Sequence, residues 1–459
     1  MNRRKLLKAA LTLPLLPLVM SKGVFGSAWA ATNPVGAALG RIRVRPGDPA
    51  WPSAELWEGL KQQVGGRLLK LESPFAGCAL TPVSAACTEA LAQLKNPYYV
   101  GDQPALTQTS GWVDAWTSQP SAWAVAATAT ADVVAAVNFA RQHDLRLVVK
   151  GGGHSYQGTS DAPDSLLVWT RAMNDVTVHD AFVASGCEGT PPQPAVTVGA
   201  GAMWIDAYDA VTTRGGRYVQ GGGCTTVGVA GLVQSGGFGS FSKRYGMAAA
   251  GLIEAEVVTA DCVVRIANAR TNPDLFWGIK GGGGGSLGVV TRMTLRTREL
   301  PETFGYAFGS IKADSDAAYR ELIGKAIAFY AADLFNPHWG EQMVFKSKNI
   351  LRISMSFAGL DQDTAQKLWA PFLDWVKSRK EYSFEKDVQI LAIPAKVNWD
   401  ADFFRKYAPY AIVEDKRANA PRDHIFWTGD QGQVGQFLHA YRSAWMPASL
   451  LKKHAQKRL

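Results

Sequence analysis

Residues 150–158 read KGGGHSYQG, and residues 220–246 read QGGGCTTVGVAGLVQSGGFGSFSKRYG. The first stretch follows DLRLVV, residues 144–149, a short apolar run of buried-strand type. Three glycines after a strand clear side chains from a turn, so backbone N–H groups can approach an anionic group such as phosphate. The common nucleotide motifs do not account for this. No G-x-x-x-x-G-K-[ST] occurs, which excludes a P-loop hydrolase. A Rossmann unit needs G-x-G-x-x-G opening a helix, whereas TSDAPDSLLVW, residues 159–169, reads as loop and then strand. The two loops share the kind of residue that closes each triplet: His154 in one, Cys224 in the other. Imidazole and thiolate are the side chains best suited to bond an electrophilic ring near neutral pH. This pair alone supplies too few ligands for a metal centre. One GGG cluster is explained by a tight turn; two, each ending in a nucleophile, point to a cradle for an anionic ligand.

Around these loops the chain divides into three zones. Residues 31–115 are mixed, with a short helical hint in TEALAQL. Residues 116–298 are rich in Gly, Val and Ala, and residues 299–459 are richer in charge and aromatics. In the middle zone Thr130 is placed as N-cap of ADVVAAVNFARQH, whose Val133, Val137 and Ala140 recur at helical spacing. SLLVW, AVTVGAG, AEVVTA, VVRIANA and GVVTRMTL read as strands. AEVVTADCVVRIA reads as a hairpin turning at Asp261-Cys262. Positive φ is disfavoured for cysteine, which predicts another loop geometry with Cys262 exposed. A third glycine cluster occupies residues 281–285. DSDAAYRELIGKAIAFY and TAQKLWAPFLDWVKS are amphipathic helices of the last zone.

The net charge of +9 is concentrated at the ends. Arg3, Arg4, Lys5, Lys8 and Lys22 stand among residues 1–30 with no acid, and Lys452, Lys453, Lys457 and Arg458 close the chain. The body between is near neutral, which argues against nucleic acid as a partner. The leader combines adjacent arginines, the apolar run AALTLPLLPLVM and an A-x-A site at Ala28-Trp29-Ala30. These are the parts of a twin-arginine signal, with an ordinary Sec signal as the alternative. The run is shorter than the ~20 residues of a membrane span and holds Pro14 and Pro17, so no stable anchor is expected. A periplasmic or secreted location follows. The twin-arginine route exports proteins already folded around a cofactor, which favours a redox enzyme. Cys78, Cys87, Cys187, Cys224 and Cys262 form no C-x-x-C pair. An odd count in an exported chain predicts one thiol with its own task and up to two disulfides among the rest, in any of three pairings.

Taken together, KGGGHSYQG, VTVGAGAMW, QGGGCTTVGVAGLVQSGGFGSFSKRYG, EAEVVTAD and NPDLFWGIKGGGGGSLGVVT give residues 117–298 a specific resemblance. They resemble the FAD-binding domain of the p-cresol methylhydroxylase/vanillyl-alcohol oxidase (PCMH-type) superfamily, in its berberine-bridge-enzyme-like branch, and imply a bacterial, exported member. The implied fold is α+β: a two-subdomain PCMH-type FAD-binding domain at 117–298 and an α/β substrate domain with an antiparallel sheet at 299–459. The leader at 1–30 and an N-terminal region at 31–116 precede them. The family's closing segment, Asn-rich with a Tyr-Asp-Pro signature, has no counterpart before Leu459, so the substrate domain is expected to be incomplete. The resemblance implies FAD tethered twice, by His154 at the 8α-methyl and by Cys224 at ring carbon 6. Gly151, Gly152, Gly153, Ser155, Tyr156, Gln157 and Gly158 would line the pyrophosphate and ribose. Gly223, Thr225, Val227, Gly228, Gly231, Tyr245 and Gly246 would continue that lining, and Val257 and Val258 would lie beside the adenine.

The implied activity is oxidation of a CH–OH or CH–N carbon of a small molecule, a sugar or other alcohol, by hydride transfer to flavin N5. Electrons then pass to oxygen or another acceptor. An oxidase is favoured over a dehydrogenase with a non-oxygen acceptor, and over an inactive or flavin-free extracytoplasmic binding protein. An alcohol substrate needs a general base within hydrogen-bond reach. HWGEQMVF, with Glu341 and Gln342, is a candidate stretch, but an ordinary surface carboxylate is the simpler reading and no base is assigned.

Overall fold

The apolar run at residues 165–169 lacks the alternation of a half-exposed strand and is buried, and beside it in the same sheet residues 145–149 bury Leu145 and Val148 and expose Arg146. The computed structural model describes residues 43–78, 80–340 and 342–456. The leader and Glu341 lie outside the described residues. The first sheet has the order Leu68–Lys70, Trp123–Ala126, Ser165–Trp169, Arg146–Lys150; the last three are parallel and the first antiparallel. Parallel strands need a crossover, here the helix Thr130–Gln142. Its Val133, Ala136, Val137 and Ala140 share a core with Trp57 and Leu60 of the helix Ala54–Gln63. Residues before 117 therefore contribute a strand and a helix to this layer.

Thr130 is not the N-cap. The helix starts at Thr130 itself, and the Asp132 carboxylate accepts the N–H groups of Thr128 and Ala129 at 2.9 and 3.2 Å. A carboxylate one turn in can satisfy these free N–H groups, which leaves the Thr130 hydroxyl to donate to Glu256 at 2.7 Å.

The second sheet is antiparallel, in the order Val264–Asn268, Leu252–Val258, Val289–Glu299, Gln193–Gly199, Val176–Phe182, with Arg217–Val219 on the end of Val289–Glu299. The expected hairpin is present, Val258 facing Val264. Its turn differs from expectation: Cys262 adopts φ +66° and is half-buried, its Sγ 3.7 Å from Asn138 Oδ1. Asp261, held by Thr259 and Arg265, fixes the turn and stabilises this backbone shape.

The third sheet pairs Trp339–Gly340, Ile350–Ala358, Thr303–Ala313 and Tyr382–Pro394 antiparallel, with Met343–Lys346 also on Ile350–Ala358. The two predicted amphipathic helices, Asp316–Phe329 and Gln362–Lys377, cover one face. Leu322, Phe329, Trp369 and Phe372 pack there against Ile311, Leu351 and Ile353. Gln342 in HWGEQMVF lies between the two short strands, its carbonyl accepting from Ser354 N at 2.9 Å.

Residues 409–438 return to the N-terminal part of the fold. The ribbon of Ile412–Glu414 and Ile425–Trp427 is tied to Tyr98, whose hydroxyl donates to Ile425 O at 2.8 Å. Gln436–Leu438 runs parallel to Thr109–Trp112. Arg417 bridges Asp102 and Asp415.

One disulfide, Cys78–Cys87, is formed, within the expected limit of two, and three thiols rather than one stay free. Cys187, Cys224 and Cys262 are free thiols, because the fold holds them in separate places: Cys187 beside Asn268, Cys262 beside Asn138, Cys224 in its glycine loop. Among the described residues no helix is long and apolar enough to cross a membrane.

Candidate functional site

The two glycine loops meet backbone to backbone. A Cβ on Gly152 would stand 2.8 Å from Gly228 N and 3.0 Å from Thr226 O, so only glycine allows this approach. Across it, Thr226 Oγ1 lies 3.3 Å from His154 Nε2. Cys224 is two residues before Thr226 on the same turn. That turn is fastened by Trp204 N to Val227 O at 3.0 Å and Ile205 N to Thr225 O at 3.0 Å. From the other side, Lys150 is buried and donates to the carbonyls of Gln103, Pro104 and Leu106 at 3.0, 2.6 and 2.8 Å. Gln108 N binds Gly153 O at 2.9 Å. The histidine is therefore displayed by a braced turn.

The other sequence-predicted residues divide into groups. Gly151, Gly152, Gly153, Thr225, Val227 and Gly228 form the junction itself, Gly228 capping the helix Val229–Gln234 that contains Gly231. Ser155 closes its own turn, Oγ accepting from Gln157 N and Thr159 N. Tyr156 and Gln157 are exposed. Gly158, at φ +69°, passes over Trp116, where a Cβ would lie 2.5 Å from the ring. Gly223 opens onto free space. Tyr245, the last residue of the short helix Ser242–Tyr245, lies between the Tyr218 ring and the Arg298 guanidinium at 5.1 and 4.9 Å, and Gly246 caps that helix at φ +81°. Val257 and Val258 are fully buried in two different cores, so only their backbone can face a ligand.

Three features escaped the sequence reading of the site. The cluster at residues 281–285 joins it: Gly283 N donates to Gln234 O at 2.9 Å and Gly285 approaches Val149. Its composition was visible, its position was not. Trp427 Nε1 donates to Gly223 O at 2.9 Å, and Asp430, three residues on in the same segment, acts on the Cys224 thiol electrostatically. Nothing local in the sequence marks either residue.

The electrostatics treat the two hooks differently. Burial, aided by the Arg171 charge, pulls the His154 imidazole down to about 4, so its ring is neutral at physiological pH. Burial and the adjacent Asp430 push the Cys224 thiol well up, so it rests protonated, contrary to the expectation of a ready thiolate. Burial also raises the Asp430 carboxyl.

These residues fit FAD. A glycine-lined junction offers N–H groups to a diphosphate, a neutral imidazole and a thiol flank it, and the Thr225 hydroxyl is buried there without a partner. A family model described as an FAD binding domain matches residues 121–267. The chain is 35% identical over 284 residues to the FAD-linked oxidoreductase malF of Malbranchea aurantiaca, covering 57% of this chain and 48% of that protein. The solved structure of the VAO-type flavoprotein MtVAO615 from Myceliophthora thermophila C1 superposes with a TM-score of 0.68 and 30% identity, over 80% of this chain and 69% of that one. The chain belongs to the VAO-type flavoproteins. The two-subdomain α+β architecture is the one this family shares. A glucooligosaccharide oxidase from Acremonium strictum, described with a 6-S-cysteinyl, 8α-N1-histidyl FAD, has the same fold at 22% identity and a TM-score of 0.50, over 65% of this chain and 57% of that one. The curated relatives named here are fungal, and this VAO-type chain spans about half the length of malF.

Proposed function

We propose that this chain is an FAD-dependent oxidoreductase that tethers its flavin through both His154 and Cys224 and oxidises a small alcohol, with carbohydrates as the first class to test. The observation that carries the reading is the backbone junction at Gly152, which places the His154 and Cys224 turns side by side. Sequences with malF and structures with MtVAO615 support the oxidoreductase class, and the description of the glucooligosaccharide oxidase supports the double tether. FAD would supply the two-electron acceptor for the substrate's carbon–hydrogen bond. The protein's part is to cradle the diphosphate with Gly151–Gly153 and Gly228, and to present neutral His154 and the Cys224 thiol to the ring. The open face of the third sheet, with Phe308, Ser310, Arg352 and Ser354, is where substrate-contacting side chains can be supplied. Export by the twin-arginine route belongs to the same reading and rests on Arg3, Arg4 and the Ala28–Ala30 site. Two bonds would keep the cofactor after export, where free FAD is scarce.

Acid precipitation of the purified protein tests the tether. A yellow pellet is expected; His154→Ala and Cys224→Ala each retain some covalent flavin and the double variant none. A colourless pellet with all flavin in the supernatant refutes the covalent reading. Reoxidation of the dithionite-reduced flavin in air then separates oxidase from dehydrogenase, a sluggish return of colour defeating the oxidase.

A further inference from the structure

Nucleophilic cysteines are ordinarily activated by a neighbouring cation or a helix N-terminus, which lowers the thiol's pKa. Cys224 has the opposite surroundings. The groups that act on its sulfur electrostatically are Asp430, whose turn is bound to the Cys224 loop, and Tyr208, whose hydroxyl donates to Gly222 O at 2.5 Å. Neither is a cation. A resting thiolate is therefore suppressed, and the proton has to leave as the carbon–sulfur bond forms.

The acceptor's turn is already bound to the Cys224 loop. Asp430 sits in the 3-10 turn Thr428–Gln433, which is clamped to the Cys224 loop by Trp427 Nε1 on Gly223 O at 2.9 Å. It is held against the ribbon by Thr428 Oγ1 on Tyr410 O at 2.9 Å. Gln433 Nε2 lies 3.4 Å from Asp430 Oδ1, too long to fix the carboxylate by itself. The turn thus delivers a carboxylate to the thiol from a segment more than 200 residues away in the chain.

We propose that Asp430 is the proton acceptor that activates Cys224 for its bond to the flavin ring, a maturation role resting on the double-tether reading above. The S–H and C6–H bonds break and the Sγ–C6 bond forms. The thiol proton passes to the Asp430 carboxylate, the C6 proton to solvent, and the electron pair to dioxygen. With both protons this gives hydrogen peroxide, so thiol, flavin and dioxygen yield thioether and peroxide with atoms and electrons balanced. Between synthesis and cofactor loading, the same pair keeps the sulfur protonated and slow to oxidise.

The test uses the full chain expressed under riboflavin starvation, loaded with FAD in air. Samples are denatured at intervals and treated with iodoacetamide. Peptide mass then reports whether Cys224 is alkylated or flavin-bound, and separately whether His154 carries flavin. A positioned base contributes ~100-fold or more, so Asp430→Asn is expected to link Cys224 at least about 100-fold more slowly while His154 still attaches. Asp430→Glu recovers most of the rate, and Gln433→Ala behaves nearly as wild type. Linkage of Asp430→Asn at the wild-type rate overturns the proposal, as does loss of the His154 bond in the same variant, which would make Asp430 a structural residue only. If Cys224 of the wild type stays alkylatable while His154 carries flavin, the double tether itself fails, and this is read before any Asp430 variant is considered.

Discussion

Replacing Gly152 by alanine tests the junction directly. The new Cβ would lie 2.8 Å from Gly228 N and 3.0 Å from Thr226 O, about 0.6 and 0.4 Å inside the 3.4 Å of ordinary contact. Both neighbours are backbone atoms, so no flexible side-chain end can swing away. Overpacking of this kind costs ~1–3 kcal/mol. The shift it forces separates the loops, and Thr226 Oγ1 to His154 Nε2, already 3.3 Å, passes beyond hydrogen-bond reach. Gly223→Ala is the matched control, since its Cβ meets nothing within 4 Å and Gly223 is not among the positive-φ glycines. Each substitution also gains ~0.4–1 kcal/mol by restricting the unfolded chain, so the difference between the two isolates the contact. Urea unfolding of riboflavin-starved protein is expected to place Gly152→Ala ~1–3 kcal/mol below Gly223→Ala. The covalent flavin fraction of Gly152→Ala should fall with it. Equal urea midpoints for the two flavin-free variants, with Gly152→Ala loading flavin as the wild type does, would refute a meeting of the loops at Gly152.

Three further outcomes are expected. The His154 imidazole titrates near 4 when folded against 6.5 in the unfolded chain, so between those values the unfolded state binds more protons. Stability of the flavin-free protein therefore falls as pH drops from 6.5 towards 4, and His154→Gln should flatten that slope in urea titrations at stepped pH. Thiol titration in denaturant without reductant should count three free cysteines in flavin-free protein and five after reduction; the double tether lowers the unreduced count by one. Lys150→Met leaves the carbonyls of Gln103, Pro104 and Leu106 without their donor. Unmet buried acceptors cost ~1–3 kcal/mol each, so a loss of at least ~3 kcal/mol and faster hydrogen exchange at residues 103–108 are expected. Unchanged stability would show that water replaces the ammonium there.

The strands and helices were legible wherever burial follows a period or a short apolar run is buried throughout. SLLVW, AVTVGAG and the two amphipathic helices of residues 316–377 stand where their patterns place them, because a side chain's face is set by its own neighbours in sequence. The misreadings were local competitions decided by remote partners. Thr130 stands inside the helix with its hydroxyl on Glu256 while Asp132 takes the N–H groups of Thr128 and Ala129, and Cys262 tolerates positive φ because Asp261 and Arg265 fix its turn.

The same division runs through the site. Sequence alone determined that two GGG turns each end in a nucleophile, because glycine's freedom and the chemistry of imidazole and thiol are properties of single residues. Only the tertiary structure decided that Gly152 brings the two turns together, that Lys150 braces one of them from beneath, and that Asp430 arrives at Cys224 from the far end of the described chain. Protonation depends on burial and on charges a few ångströms away. A neutral histidine beside a protonated thiol is therefore a property of the folded neighbourhood, which no stretch of KGGGH or QGGGC contains.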